Sequence, residues 1–507
     1  MTVNKMWRFV VMPVLLCIVT AVAFFSVNSE KNSCMGVKIV TEAEMSRFVS
    51  HAQKELSGWI YLDGDNAAVD AGTFTVYISQ NIKENTQYND LVGKLGINLD
   101  GHRMFFPPDE MFADLDRAAA ENHPFSLIIE DNEGGYSLYS VIFTNLPVVR
   151  MNGERQYTDP DGVAVYSGDI TIWDTNYAGT GGIITEKSGA EWQDSDRRDM
   201  QEAKKSWKIS LANSKGGVNM LNLMGQGDDD DWVFNSLYGD STKLREKLMA
   251  SLWNGMIETA SDTARMPEGE YAEIVCNGEY MGVYAVSRRT DQKYLDLDSD
   301  DILLRDKKDR RGSYVQNNYN ILHGYYTEDE VWQIADGWHK NQESVVINPD
   351  KWIDANIMVN LATANGIRGY NEMYYVWHNA DTKPSVDYIP VAEDAVFGIK
   401  YRRDSYRYDR DGCGAEVVYG DEYDSLKQLY PDLDERIAQR YKQLRGGILS
   451  EKAVCALIDN ANGQLAQGAA LERDAERWNT EKGRDSAEEL KEYIKERLEY
   501  LDRYYGI

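Results

Sequence analysis

The stretch Lys204–Leu211, KKSWKISL, decides how the rest of the chain is read. Side chains alternate along a strand, so Trp207, Ile209 and Leu211 share one face with Lys205. Lys204, Ser206, Lys208 and Ser210 share the other. An ammonium on the apolar face needs an anion, or a route along its stem back to water. A nucleotide phosphate in a cleft meets the first need, and a strand-end position meets the second.

Outward from this strand, the chain alternates between both structural periods. Towards the C-terminus, Ser241–Met256 reads as a helix and AEIVCNGEYMGVYAVS as a hairpin turning at Asn277-Gly278. A helix from Trp352 to Ala364 follows, then strands Met373–His378 and Val386–Val391. The end is helical: Ser486-Ala487-Glu488-Glu489 is a capping-box pattern, followed by Leu490, Ile494, Leu498, Leu501 and Tyr505 at helical spacing. Towards the N-terminus, VAVYSGDITIWD reads as a strand pair, and the turn-rich Asn152–Gly162 marks a boundary. Before it, GWIYL, GTFTVYIS, PFSLIIED and GYSLYSVIF read as strands, and Thr41-Glu42-Ala43-Glu44 caps a short helix reaching about Leu56. The expected class is α+β, with a β-rich module over 30–150 and a larger domain over 151–507.

The first 29 residues form a third part. Trp7–Val27 is 21 residues with Arg8 as its one charge, long enough as a helix to cover about 31 Å and cross a bilayer core. Lys5 and Arg8 at its start place the N-terminus in the cytoplasm and the body outside the membrane. Ala21-Val22-Ala23 also fits a cleavage site, which gives a secreted protein instead. Both readings export the body.

Composition and motif searches exclude several classes. The chain has 507 residues, and 54 Lys+Arg against 83 Asp+Glu gives a net charge of −29. So acidic a surface repels phosphate backbones, and no basic block compensates, so a nucleic-acid partner is not expected. Five cysteines without a CxxC do not make a disulfide framework. Asp296, Asp298 and Asp300 have EF-hand spacing, but Asp301 stands where the loop needs Gly and Lys307 where it needs Glu. That segment, like Asp228–Asp231, reads as a solvated acidic turn. Six histidines without HExxH, and no GxSxG, remove zinc hydrolases and α/β-hydrolases.

Several blocks in order resemble the CotH kinase family, a family of atypical secreted or spore-coat protein kinases. They are KKSWKISL, DDWVFNSLYGDSTKLREKLMASLW, EIVCNGEYMGVYAVS, MYYVWHN with VDYIP leading to EDAVFG, and the ending from ILSEKAV through LERDAERW to LKEYIKERLEYLDRYY. The resemblance covers roughly Leu146–Ile507. It implies a two-lobed kinase-like domain that binds ATP and Mg²⁺ and phosphorylates Ser of surface or coat proteins. Phosphoryl transfer needs a lysine on the phosphates, oxygen ligands on the metal and a carboxylate orienting the hydroxyl. By resemblance, Lys204 and Lys205 are the paired lysines, with Lys205 on the phosphates. Asn235, Asp240 and Arg245 match the D/N-rich stretch and its helix-borne arginine, with Arg245 on the nucleotide. Asp394 and Glu372 match catalytic positions, and Asp394, Glu393 and Asn371 would hold the metal. The departures are also clear. Ala392 stands for the first acid of the Asp-x-Asp segment, Val391 for its tryptophan and Arg288 for a glutamate after the hairpin. The Asn-x-Asp before the MYYVW strand is replaced by Asn365-Gly366-Ile367. Such losses weaken metal chemistry, so a pseudokinase scaffold for envelope or coat assembly is the competing expectation.

Overall fold

The computed structural model describes residues 35–50, 60–62, 64–79, 95–97, 101–159, 163–174, 184–194, 203–259, 264–308, 314–325, 327, 330, 346–363, 373–378, 385–391, 395–402, 405–419, 422–479 and 485–507. The apolar segment Trp7–Val27 lies outside these residues. Among the described residues, no helix is long and apolar enough to cross a membrane. The chain separates into two compact units: Met1–Asn152 with Thr171–Thr185 and Val275–Tyr280, and Gly153–Ile170 with Glu186–Ile274 and Met281–Ile507.

In the first unit, nine strands share a sheet. They are β1 Met35–Ile39, β2 Ile60–Leu62, β3 Asp65–Asn66, β4 Ala68–Asp70, β5 Thr75–Ser79, β6 Leu95–Ile97, β7 Arg103–Phe106, β8 Phe125–Glu130 and β9 Tyr136–Thr144. Their order is β3-β2-β6-β1-β7-β8-β9-β5-β4. Two short helices, α1 Glu42–Val49 and α2 Leu115–Ala120, accompany it. The Thr41 hydroxyl accepts from Glu44 N while the Glu44 carboxylate accepts from Thr41 N at 2.8 Å, so the capping box is complete. Val76, Ile78, Leu127, Ile129, Val141 and Phe143 are within 1% of full burial and form the core.

Seven strands then close a barrel: β10 Val148–Thr158, β11 Ala164–Asp174, β12 Ile184–Asp194, β13 Trp207–Ala212, β16 Asp231–Asn235, β17 Glu270–Cys276 and β18 Glu279–Arg288. A two-stranded ribbon, β14 Leu221–Asn222 and β15 Asp228–Asp229, precedes β16, and the barrel order is β10-β11-β12-β13-β16-β18-β17. Three sequence expectations are corrected here. VAVYSGDITIWD forms one long strand, Ala164–Asp174, between β10 and β12 of the barrel. Asn152–Thr158 belongs to β10, so the turn is confined to the end of that stretch, where Asp159 N donates to Val163 O at 2.9 Å. The lysine strand begins at Trp207 and not at Lys204. The Ser206 hydroxyl accepts from Ser236 N at 3.0 Å, so a side chain takes over from the backbone ladder beyond the Trp207–Phe234 pair.

The remaining elements belong to the second unit. α3 Arg245–Glu258 is buried on nearly every side. It starts later than Ser241 because the Asp240 carboxylate caps it, accepting from Arg245 N at 2.9 Å and Thr242 N at 3.0 Å. A five-stranded sheet contains β19 Ile302–Lys308, β20 Tyr314–His323, β21 Val346–Ile347, β22 Met373–His378 and β23 Ser385–Pro390, in the order β20-β19-β22-β23-β21. Helix α4 Pro349–Ala362 precedes β22, with Asn348 as its cap and Pro349 in its first turn. A hairpin, β24 Ile399–Arg402 and β25 Ser405–Tyr408, follows β23. Five helices end the chain: α5 Tyr423–Leu429, α6 Leu433–Arg445, α7 Glu451–Ala466, α8 Ala470–Trp478 and α9 Ala487–Tyr505. In the α9 stripe Leu490, Ile494, Leu498 and Leu501 are buried, as the spacing predicts, while Tyr505 at its end is only partly buried.

Candidate active site

The buried lysine of the KKSWKISL stretch is Lys204, which is fully enclosed, while Lys205 is half-buried. With the strand starting at Trp207, Lys204 points inward. Its ammonium donates to Asp474 Oδ1 at 2.6 Å and Val283 O at 2.5 Å and sits 4.4 Å from the Tyr284 ring centre. Asp474 comes from α8, and its other oxygen lies 3.1 Å from Lys243 Nζ. Val283 N donates back to Asp474 Oδ1 at 2.9 Å. Burial disfavours the Asp474 carboxylate, but Lys204 and Lys243 more than offset it and hold its pKa below the usual carboxylate range. Beside it, Arg473 forks onto Glu273 of β17 at 2.9 and 2.7 Å. Gly282 of the hairpin has φ +86°, and a Cβ there would lie 2.1 Å from Asp474 Oδ1. The glycine of the NGEYMGVY block thus makes room for the acid of the LERDAERW block.

A second buried network centres on Arg245, at the start of α3. Its guanidinium meets Asp240 Oδ1 and Asp485 Oδ2, both at 2.6 Å, and Nε donates to Phe397 O at 3.2 Å. The side chain is fully buried. Burial opposes both charges of the Asp240–Arg245 pair, yet the contact keeps Asp240 ionised with its pKa lowered. Burial and the neighbouring Asp240 push the pKa of Asp485 up.

The described residues on either side of 364–372 and 392–394 meet. Phe397 N donates to Ala362 O at 2.6 Å, joining the end of α4 to the end of the EDAVFG block. Met373, the first residue of β22, pairs with Pro390, the last of β23. Thr363 (φ +46°) and Phe397 (φ +47°) at this junction lie in the left-handed region, which costs a non-glycine residue about 1–3 kcal/mol. Such strain persists where the surroundings over-determine the backbone, and it gathers at functional sites.

Asn371, Glu372, Glu393 and Asp394, the expected metal and catalytic residues, lie outside the described residues. Among the described residues, no group of three or more His, Cys, Asp or Glu is arranged to hold a metal. The three expected metal ligands, Asn371, Glu393 and Asp394, all offer oxygen, the chemistry that suits Mg²⁺. Lys204 and Arg245, expected on the nucleotide, are committed to protein carboxylates and carbonyls. Asn235 donates to Glu246 of α3 and accepts from Ser206 Oγ at 3.2 Å, next to Lys205.

The acidic run 228–231 is not a solvated turn. Asp229 is fully buried and takes Arg288 Nε at 2.8 Å, and Asp230 and Asp231 both reach Lys293. Arg288, standing where the family has glutamate, thus neutralises an acid that this chain buries. Asp296, Asp298 and Asp300 are exposed, as a solvated loop requires. Cys276, Cys413 and Cys455 are free thiols, and burial pushes the Cys276 pKa up to about 12.

Sequence reasoning did not single out Asp474, Lys243, Glu273 or Asp485. Asp474 and Arg473 did leave a signal. They are adjacent opposite charges on the face of α8 that Ala470 buries, and such a face normally excludes unpaired charge.

A closed barrel, a buried lysine beside it, a buried helix and a helix–strand–strand succession are the ordered parts of this α+β protein. The family model described as CotH kinase protein matches residues 194–501, more than half of the chain. The chain belongs to the CotH kinase family. A comparison with curated proteins finds no match.

Proposed function

We propose that this chain is a membrane-anchored extracytoplasmic kinase-like protein that uses ATP and Mg²⁺ to phosphorylate Ser of surface or coat proteins. The reading is carried by the junction at which Phe397 bonds to Ala362 and Met373 pairs with Pro390. Asn371 and Glu372 directly precede Met373, and Glu393 and Asp394 follow Pro390 within four residues. The strand ends that flank Asn371-Glu372 and Glu393-Asp394 are therefore neighbours. In this reading Asp394, Glu393 and Asn371 hold the metal, and Glu372 accepts the proton of the attacking hydroxyl. Lys205 is the phosphate lysine, since Lys204 is occupied by Asp474. When bound, Mg²⁺ neutralises charge on the transferring phosphoryl group.

Full-length protein incubated with radiolabelled ATP and Mg²⁺ or Mn²⁺ should label itself or an acidic protein acceptor. At 100 times its Kd, Mg-ATP should stabilise the fold by about 2.7 kcal/mol. Lys205→Met and Asp394→Asn should each remove that stabilisation. Absence of both labelling and stabilisation in the parent protein would reject the kinase reading.

A second reading, a pseudokinase scaffold, draws on Ala392 and on the pairing of Arg288 with Asp229. It forecasts association with envelope or coat proteins that is unchanged by Asp394→Asn.

A further inference from the structure

We infer that Arg245 is a positioning residue, which clamps the Val396–Ile399 turn immediately after the proposed metal carboxylate Asp394 and ties it to the C-terminal helix. The inference rests on the kinase reading for its consequence, but its geometry stands apart from that reading.

The clamp joins three segments distant in sequence. Asp240 lies before α3, Phe397 follows β23, and Asp485 lies two residues before α9. The side chain has no solvent exposure, so the guanidinium has no route to a nucleotide, and its contact with Asp485 is an ion pair at 2.6 Å without an aligned hydrogen bond. A planar guanidinium with several fixed donors can serve two carboxylates and a carbonyl at once, which an ammonium cannot do in the same geometry.

The turn has little freedom of its own. Phe397 (φ +47°) and Gly398 (φ +91°) are both left-handed. Phe397 N is held by Ala362 O at 2.6 Å, and Gly398 O accepts from Asp409 N at 2.7 Å. A Cβ on Gly398 would lie 2.8 Å from the Tyr493 ring of α9. Ile399 N closes the turn on Val396 O at 3.1 Å, and Arg245 Nε holds Phe397 O from α3. A strained turn keeps its shape only while such partners persist. Ser241 Oγ also donates to Asp485, so the α9 end of the clamp is itself anchored.

The test uses the full chain and Arg245→Lys, which keeps the charge but loses the fork, with Ser241→Ala as a milder second variant. Hydrogen exchange is followed in the peptide spanning Val396–Tyr401, and the Mg²⁺ concentration for half-maximal ATP-dependent stabilisation is measured. Arg245→Lys should speed exchange of the Phe397 and Ile399 amides while β13 stays protected. It should also raise the Mg²⁺ midpoint about 10–100-fold, as loss of a partner that orients a metal ligand does. Ser241→Ala should shift both readouts in the same direction by less. Unchanged exchange at Phe397 and Ile399 in Arg245→Lys would overturn the clamp. So would a lower melting temperature with the Mg²⁺ midpoint unmoved, the mark of a purely structural pair. If the parent protein shows no Mg-ATP response, the kinase reading fails, and the exchange measurement still decides the clamp.

Discussion

Asp474 holds two ammonium groups with one carboxylate, and a buried ion has few substitutes. Replacing it by Ala removes the buried carboxylate that Lys204 and Lys243 share. Breaking a buried pair this way costs about 3–5 kcal/mol. Urea denaturation of Asp474→Ala should therefore show a large loss in the unit holding α8, and a loss under about 1 kcal/mol would contradict the burial of Lys204. Gly282→Ala should also destabilise, since its φ of +86° and the 2.1 Å approach of Asp474 both oppose a Cβ. His378 offers a pH test. It bridges Asp387 Oδ2 at 3.2 Å and Asp301 Oδ2 at 3.3 Å, and Lys351 also binds Asp387. The Asp387 hydrogen bond raises the His378 pKa above the ordinary 6.5 despite burial. A raised folded-state pKa contributes stability fully present below 6.5 and lost as pH climbs through the higher folded value. Denaturation midpoints should fall over that interval in the parent and fall less in His378→Gln. Equal slopes would exclude the bridge.

At the level of elements, legibility followed local cause. The Thr41 capping box, the Asn277-Gly278 hairpin and the α9 stripe were readable because neighbours within four residues supply their energetics. The start of β13 was not, because Ser236, thirty residues away, sets it through the Ser206 hydroxyl. Nor was the start of α3, where Asp240 caps the helix while also pairing with Arg245. For α9, Ser486→Ala should cost about 1 kcal/mol, as loss of an N-cap bond does. Leu498→Ala should cost about 2–5 kcal/mol from a filled core position. Circular dichroism melts of the two variants should rank in that order.

Across the whole molecule, the net charge of −29 acts at long range, while the ion pairs named above act at contact. Self-repulsion among exposed acids is screened once the Debye length shortens to roughly 8–10 Å near physiological salt, but buried pairs are screened far less. The melting temperature should thus rise from low salt to 0.15 M salt (roughly the physiological value), and the penalty of Asp474→Ala should not change with it. A melting temperature that falls with salt would show that exposed ion pairs dominate instead.

By itself the sequence determined the α+β class, the CotH kinase family, the local helices and hairpins and the acidic character, because composition, period-2 and period-3.6 patterns and short motifs record themselves within a few residues. Only the tertiary structure decided which lysine is buried, that Arg245 faces two carboxylates and a carbonyl, and that the acidic run 228–231 is neutralised from β18 and from Lys293. Those outcomes depend on charges up to 270 positions apart, as between Lys204 and Asp474. A buried charge takes whichever partner the fold brings within about 3 Å, and no local pattern of residues encodes that meeting.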